Sequence, residues 1–225
     1  MSSIKIAASL LAANPCFLKE EVERVEKCGA DYIHIDIMDG LFVPNLTFGP
    51  HVVYELRKHS NLVFDVHLML KHPKKYIENF AKSGANIITV HREIGEDMEE
   101  ISEYIRSFGV KPGISVNPST SIEKINECLN FFDIFLIMTV EPGWGGQKYM
   151  NNNTCKISTL KEKLKNINKK ADIEVDGGIN FKNVHIPARA GANIFVAGCN
   201  IFTSKDMAWT IKMIRENAKI SCETT

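Results

Sequence analysis

A chain of 225 residues with 44% hydrophobic composition is long enough to bury one sizeable core and lies in the size range of a single domain, here residues 1–225. Its 27 basic and 27 acidic residues cancel, which excludes the overall field of a nucleic-acid or anionic-membrane binder, although a local phosphate pocket would be invisible in that sum. Cys16, Cys28, Cys128, Cys155, Cys199 and Cys222 include no Cys-x-x-Cys pair, which argues against a disulfide framework and a thiolate zinc site and fits reduced thiols in the cytoplasm.

The first predicted element is an apolar run, Ile4 to Leu10, and the stretch Ile6 to Ala13 that overlaps it imitates the core of a signal peptide. It is short, however, and gives way to Asn14-Pro15 with acidic residues close behind, so it reads as a strand. Similar β-branched runs follow at Tyr32 to Met38, Val63 to Met69, Asn86 to His91, Lys111 to Val116, Ile134 to Val140, Asp172 to Asp176 and Asn193 to Gly198. Between them Pro15 to Cys28, Pro73 to Ser83, Ser121 to Asn130 and Thr154 to Lys170 carry apolar positions three and four apart, the spacing of crossover helices. No stretch approaches the roughly 20 apolar residues needed to span a bilayer, so a soluble protein is expected.

Gly29-Ala30-Asp31, Gly84-Ala85-Asn86 and Gly191-Ala192-Asn193 repeat one device, a glycine stop after a helix followed by the next strand. A βα unit used many times closes most simply into a (β/α)8 barrel, with an open doubly wound sheet as the alternative, because periodicity alone does not show closure. In a barrel the chemistry collects where strands end.

A period of two puts His34, Asp36 and Met38 on one face of the second run, His67 and Met69 on one face of the third, and Asp176 with Glu174 on one face of the seventh. A lone inward histidine is usually hydrogen-bonded core, and a lone aspartate at a strand end often caps the next helix. Four such residues on three strand ends would need four separate sets of buried partners, whereas joint binding of one divalent ion satisfies them together. Imidazole and carboxylate suit zinc, iron(II), manganese and cobalt alike, so these residues do not choose among them. Asp65 sits two positions before His67 on the same face, as a partner orienting a ligand or an ordinary buried hydrogen bond.

Glycine-rich turns follow the sixth, seventh and eighth runs at Gly143-Trp144-Gly145-Gly146, Gly177-Gly178 and Gly198-Cys199. Glycine lets backbone amides approach an anion, and barrels often seat phosphate on the loops after strands seven and eight. Met38, Met69 and Met138 end inward rows, either as core or as an apolar collar around a reacting carbon.

The motifs HIDIMDG from His34, DVHLM from Asp65, MTVEPGWGGQ from Met138 and EVDGGI from Glu174, in this order and spacing, resemble the ribulose-phosphate 3-epimerase family nearly end to end. The resemblance implies a (β/α)8 barrel of the ribulose-phosphate-binding type that interconverts D-ribulose 5-phosphate and D-xylulose 5-phosphate at C3 through a 2,3-enediolate, in the pentose phosphate pathway. It implies one divalent ion per subunit, zinc first and iron(II), manganese or cobalt otherwise. His34, Asp36, His67 and Asp176 match the metal ligands, and Asp36 and Asp176 also match the acid/base pair. Ser9, His67, Gly143 to Gly146, Asp176, Gly177, Gly178, Gly198 and Cys199 match substrate and phosphate contacts. A cytoplasmic homodimer or larger homo-oligomer is implied as well.

Two positions depart from the family's usual pattern: Trp144 stands in place of Phe, and Cys199-Asn200 in place of Ser and a small residue. Cys199 loses an assured hydroxyl contact but keeps its backbone amide, and Trp144 can cover the site as an aromatic lid. Three other readings remain: a 3-epimerase for a six-carbon ketose phosphate such as allulose 6-phosphate, which needs only a longer pocket; a decarboxylating barrel, disfavoured because no inward Lys accompanies Asp36; and a non-catalytic phosphosugar-binding barrel, disfavoured by the complete ligand set.

Overall fold

Alternation along the strands sorts side chains to two sides of one sheet. The computed structural model describes residues 3–223, with side chains through residue 220. Its strands β1 (Lys5–Ser9), β2 (Tyr32–Met38), β3 (Val63–Met69), β4 (Ile87–His91), β5 (Lys111–Val116), β6 (Ile134–Met138), β7 (Asp172–Asp176) and β8 (Ile194–Ala197) are all parallel and in sequence order, and β8 pairs back onto β1 to close a barrel. Closure leaves no strand edge unpaired, the alternative an open sheet would have had to manage. The helices are α1 (Leu18–Lys27), α2 (Pro50–Arg57), α3 (Ile77–Lys82), α4 (Met98–Ser107), α5 (Thr154–Asn166), α6 (His185–Ala190), α7 (Cys199–Phe202) and α8 (Met207–Glu223).

On β2 the odd positions Ile33, Ile35 and Ile37 join one apolar core with Val22 and Val25 of α1 and Val53 and Leu56 of α2. The even positions His34, Asp36 and Met38 therefore face the barrel interior. A small apolar cluster of Ala7, Ile87, Ile134, Ile194 and Val196, with Tyr32 and Val63 packed on it, plugs the N-terminal end. With that end closed, the interior opens at the C-terminal ends of the strands.

The three repeated glycine stops are left-handed, with φ of +90° at Gly29, +101° at Gly84 and +112° at Gly191. The residue two places on then has a second use. Asp31 Oδ2, Asn86 Oδ1 and Asn193 Oδ1 accept the N–H groups of Ile6, Phe64 and Ile173, each at 2.8 Å, so each side chain fastens the start of the neighbouring strand and helps set the register.

Ser121 to Asn130, expected as a crossover helix, instead forms a 3₁₀ helix over Ile122–Cys128. Its buried residues Ile122, Ile125 and Cys128 fall at strict spacings of three, which aligns them on one face at three residues per turn. The expected helices from Pro15 and Pro73 likewise begin with 3₁₀ turns, Pro15–Phe17 and Pro73–Lys75, before α1 and α3. Cys16, Cys28, Cys128, Cys155 and Cys199 are free thiols, while Cys222 lies outside the described side chains. Among the described residues no helix is long and apolar enough to cross a membrane.

Candidate active site

Parallel pairing places Asp36 of β2 beside His67 of β3, and Met138 of β6 beside Asp176 of β7. Ligand atoms of His34, Asp36, His67 and Asp176 all lie within 4.8 Å of one another at the interior mouth of the barrel. Asp36 is the hub: its Oδ1 lies 3.3 Å from His34 Nε2 and 3.2 Å from His67 Nδ1, and its Oδ2 accepts the Ser9 hydroxyl at 2.9 Å. The backbone of each acid is pinned by a threonine. Thr47 Oγ1 donates to the Asp36 carbonyl at 2.5 Å and accepts the Met38 N–H at 3.0 Å, while Thr139 Oγ1 donates to the carbonyls of Asp176 and Gly177 at 2.9 and 2.8 Å.

The two acids are driven apart electrostatically. Burial opposes ionisation of Asp36, but His34 and His67 outweigh it and hold the carboxyl well below its usual range. Around Asp176 the charge on His34 and the Gly177 amide favour ionisation less strongly, and burial together with the charge on Asp36 pushes it up to about 7. Without a metal ion, then, Asp36 is the ionised member of the pair and Asp176 the one that keeps affinity for a proton.

Below this layer Asp65 holds His34 rather than His67. Asp65 Oδ2 lies 2.8 Å from His34 Nδ1, and Glu174 Oε1 is 3.5 Å from the same nitrogen. Burial and the Asp65 charge raise the Glu174 carboxyl well above the usual carboxylate range, so it stays neutral. With its Nδ1–H committed downward, His34 turns Nε2 toward Asp36, and that buried atom has no hydrogen-bond partner among the described residues. A buried imidazole nitrogen without a hydrogen bond, beside an ionised carboxylate, a second imidazole and a second carboxylate, belongs to a donor set that suits a divalent transition ion. Atoms sharing such an ion at about 2.1 Å lie no more than about 4.2 Å apart, so the four side chains need to close up only slightly.

Above the cluster opens a cavity of about 190 Å³. Ser9, Asp36 and Asp176 form its polar floor, Met38, Met69 and Met138 its apolar wall, and Gly143, Trp144, Gly145, Gly146, Gly177, Gly178, Gly198 and Cys199 its far side. His34 and His67 lie beneath the floor, fully buried, and do not line it. Gly178 requires its glycine: φ is +69°, and a Cβ there would meet the amide of Tyr149 and lie 2.8 Å from Gln147 O. The chain after β7 is thus packed directly on the backbone of the loop after β6. Asn45 donates to Gly143 O at 2.8 Å, which ties the loop after β2 to the same wall.

The structure adds residues that the sequence reading did not single out. Gln147, Asn180 and Ile179 also line the cavity. His91, at the end of β4, has its Nε2 2.8 Å from His67 Nε2. Its inward position was readable from the Ile87, Thr89, His91 alternation, but Thr47 lies in a loop and Glu93, which faces His91 Nδ1 at 3.3 Å, lies in the short 3₁₀ turn Arg92–Ile94 after β4, and neither follows a strand period.

A closed (β/α)8 barrel with paired carboxylates and imidazoles under a glycine-walled cavity defines an enzyme of the barrel class that works at the C-terminal mouth. A sequence profile of the Ribulose-phosphate 3 epimerase family matches residues 5–202, and the chain belongs to that family. It is 40% identical over 222 residues to the ribulose-phosphate 3-epimerase, cytoplasmic isoform, of Oryza sativa subsp. japonica, covering 97% of this chain and 96% of the relative. To the ribulose-phosphate 3-epimerase of Bacillus subtilis (strain 168) it is 43% identical over 213 residues, covering 94% and 98%. These relationships make it an isomerase of the epimerase type. The fold also superposes on a crystal structure of KGPDC from Streptococcus mutans, with a TM-score of 0.72 at 14% identity over 97% of this chain and 99% of that one.

Proposed function

We propose that the chain is a metal-dependent epimerase interconverting D-ribulose 5-phosphate and D-xylulose 5-phosphate at C3, acting in the pentose phosphate pathway as a single catalytic domain over residues 1–225. The observation that carries this reading is the convergence of Asp36 and Asp176 with the buried His34 and His67 at the floor of a cavity walled by glycine turns.

Inverting a carbinol carbon beside a carbonyl requires removal of its proton and return of a proton to the opposite face. Asp36, held ionised, takes the C3 proton, and the substrate passes through a 2,3-enediolate. Asp176 returns a proton from the other side. In the reverse direction the two exchange roles. His34, Asp36, His67 and Asp176 would hold one divalent ion, zinc first, whose Lewis acidity would offset the negative charge of the enediolate by several kcal/mol. Ser9 fixes the Asp36 carboxylate through its hydroxyl. Backbone amides around Gly143 to Gly146, Gly177, Gly178, Gly198 and Cys199 anchor the substrate phosphate, so its binding energy positions C3 between the acids. Met38, Met69 and Met138 form the dry wall beside that carbon. The enzyme is further read as a cytoplasmic homodimer or larger homo-oligomer.

A coupled assay on D-ribulose 5-phosphate, run with and without a chelator and after readdition of zinc, tests this reading. The expected result is activity that chelation abolishes and zinc restores. Full activity in metal-free protein would contradict it.

A further inference from the structure

Behind His67 two residues outside the proposed ligand set, the buried His91 and the partly exposed Glu93, complete a chain. His91 Nε2 lies 2.8 Å from His67 Nε2, and the ring centroids are 4.8 Å apart with planes 22° apart. Nearly coplanar rings meeting nitrogen to nitrogen at this distance form an in-plane hydrogen bond, which requires one ring to donate and the other to accept. On its far side His91 Nδ1 faces Glu93 Oε2 at 3.3 Å, in reach but poorly aligned, so that both atoms lack a well-formed hydrogen bond. Glu93 in turn is held in place, its Oε1 accepting the Asn117 N–H at 2.8 Å. Phe42 covers His91 from another side, with centroids 4.7 Å apart.

The chain therefore runs Asp36, His67, His91, Glu93: two imidazoles between two carboxylates. It has three gaps to fill, and two neutral imidazoles bring two N–H groups. Filling every gap takes one more cation. We propose that His91 and Glu93 are positioning residues that fix the direction of this chain, so that His67 presents its Nδ1 lone pair to the metal ion. This inference rests on the metal reading given above. With an ion between Asp36 and His67 Nδ1, the proton of His67 sits on Nε2 and points at His91 Nε2, and the proton of His91 sits on Nδ1 and points at Glu93. Both N–H groups then run one way, and every gap is occupied.

Glu93 sets the direction because a carboxylate can only accept. Glu93→Gln is nearly isosteric but reverses the final link. Its amide oxygen stays on the Asn117 N–H, which places the NH2 group against His91 Nδ1. His91 must then carry its proton on Nε2, where it confronts the Nε2–H of His67. Ring orientations that support a metal ligand typically matter 10- to 100-fold in affinity.

The test uses the full chain and zinc. Zinc affinity is measured by competition with a chelator for the wild type, Glu93→Gln, His91→Gln and the double variant, with the thermal unfolding of each metal-free protein as a fold check. Glu93→Gln is expected to bind zinc about 10- to 100-fold more weakly at unchanged metal-free stability. In His91→Gln, where the amide oxygen can accept the His67 Nε2–H, the further change of Glu93 is expected to have little effect. Unchanged affinity in folded Glu93→Gln, or an equal loss from that change in both backgrounds, would overturn the relay while leaving the metal reading intact. A wild type with no affinity for zinc or another divalent ion would instead refute the metal reading, and the relay with it. Should Glu93→Gln fail to fold, nitrogen-15 spectra of the zinc-loaded wild type decide alone: protons on His67 Nε2 and His91 Nδ1 support the relay, and a proton on His91 Nε2 overturns it.

Discussion

Replacing Gly178 by alanine tests whether the loops after β6 and β7 are locked backbone to backbone. The residue has φ of +69°, and an added Cβ would meet the amide of Tyr149 and lie 2.8 Å from both Gln147 O and Lys148 C. A left-handed conformation costs an alanine about 1–2 kcal/mol. Overpacking against atoms that cannot swing away adds about 1–3 kcal/mol. The total is about 2–5 kcal/mol, and relief would come from parting the two loops that form the cavity wall. Gly29→Ala is the control, because it carries φ of +90° with nothing within 4 Å of the added carbon, so it bears the conformational cost without the clash. Urea unfolding of both variants should show Gly178→Ala less stable than Gly29→Ala by about 1–3 kcal/mol, together with weaker competitive inhibition by inorganic phosphate. Equal stabilities would show that the loops yield freely, and the packed-wall argument would fail.

Acid sensitivity offers a second check. Burial first, then the neighbouring His67, depresses His91 from 6.5 to about 4, despite its Glu93 partner. Between those values the unfolded chain binds a proton that the folded chain refuses, so this contribution is present above pH 6.5 and is lost as pH falls toward 4, about 3 kcal/mol in all. Metal-free wild type should therefore lose more stability between pH 7 and 4.5 than His91→Gln, and matching losses would refute the assignment. Ser9→Ala removes a buried hydroxyl that donates to an ionised carboxylate at 2.9 Å. It should lower stability by about 1.5–3 kcal/mol and slow turnover; a variant as stable and active as wild type would show that Asp36 needs no such support.

Much of this arrangement was legible because a period of two is unforgiving. Once Ile33, Ile35 and Ile37 belong to the outer core, His34 and Asp36 have only the interior to face. The same logic put Asp176 inward on β7, and the glycine stops before Asp31, Asn86 and Asn193 marked the repeated unit. The segment from Ser121 departs from expectation because spacings of three satisfy an α-helix loosely and a 3₁₀ helix closely. The supports of the site were not legible for a different reason. Thr47 lies 11 residues beyond the carbonyl it grips, and Glu93 leaves β4 before turning back to His91. Such contacts depend on loop paths, which neither periodicity nor composition records. Asp65 was placed on the correct face, but only the register between β2 and β3 shows that it holds His34.

The central claim is that Asp36 and Asp176 serve C3 from opposite faces, and isotope exchange addresses it most directly. D-ribulose 5-phosphate is incubated in deuterium oxide with wild type, Asp36→Asn and Asp176→Asn, and deuterium at C3 is followed alongside formation of D-xylulose 5-phosphate. Wild type should do both, and each variant should form almost no product while its metal-free circular dichroism stays that of a folded barrel. Product formation at the wild-type rate by folded Asp176→Asn would contradict the two-carboxylate account.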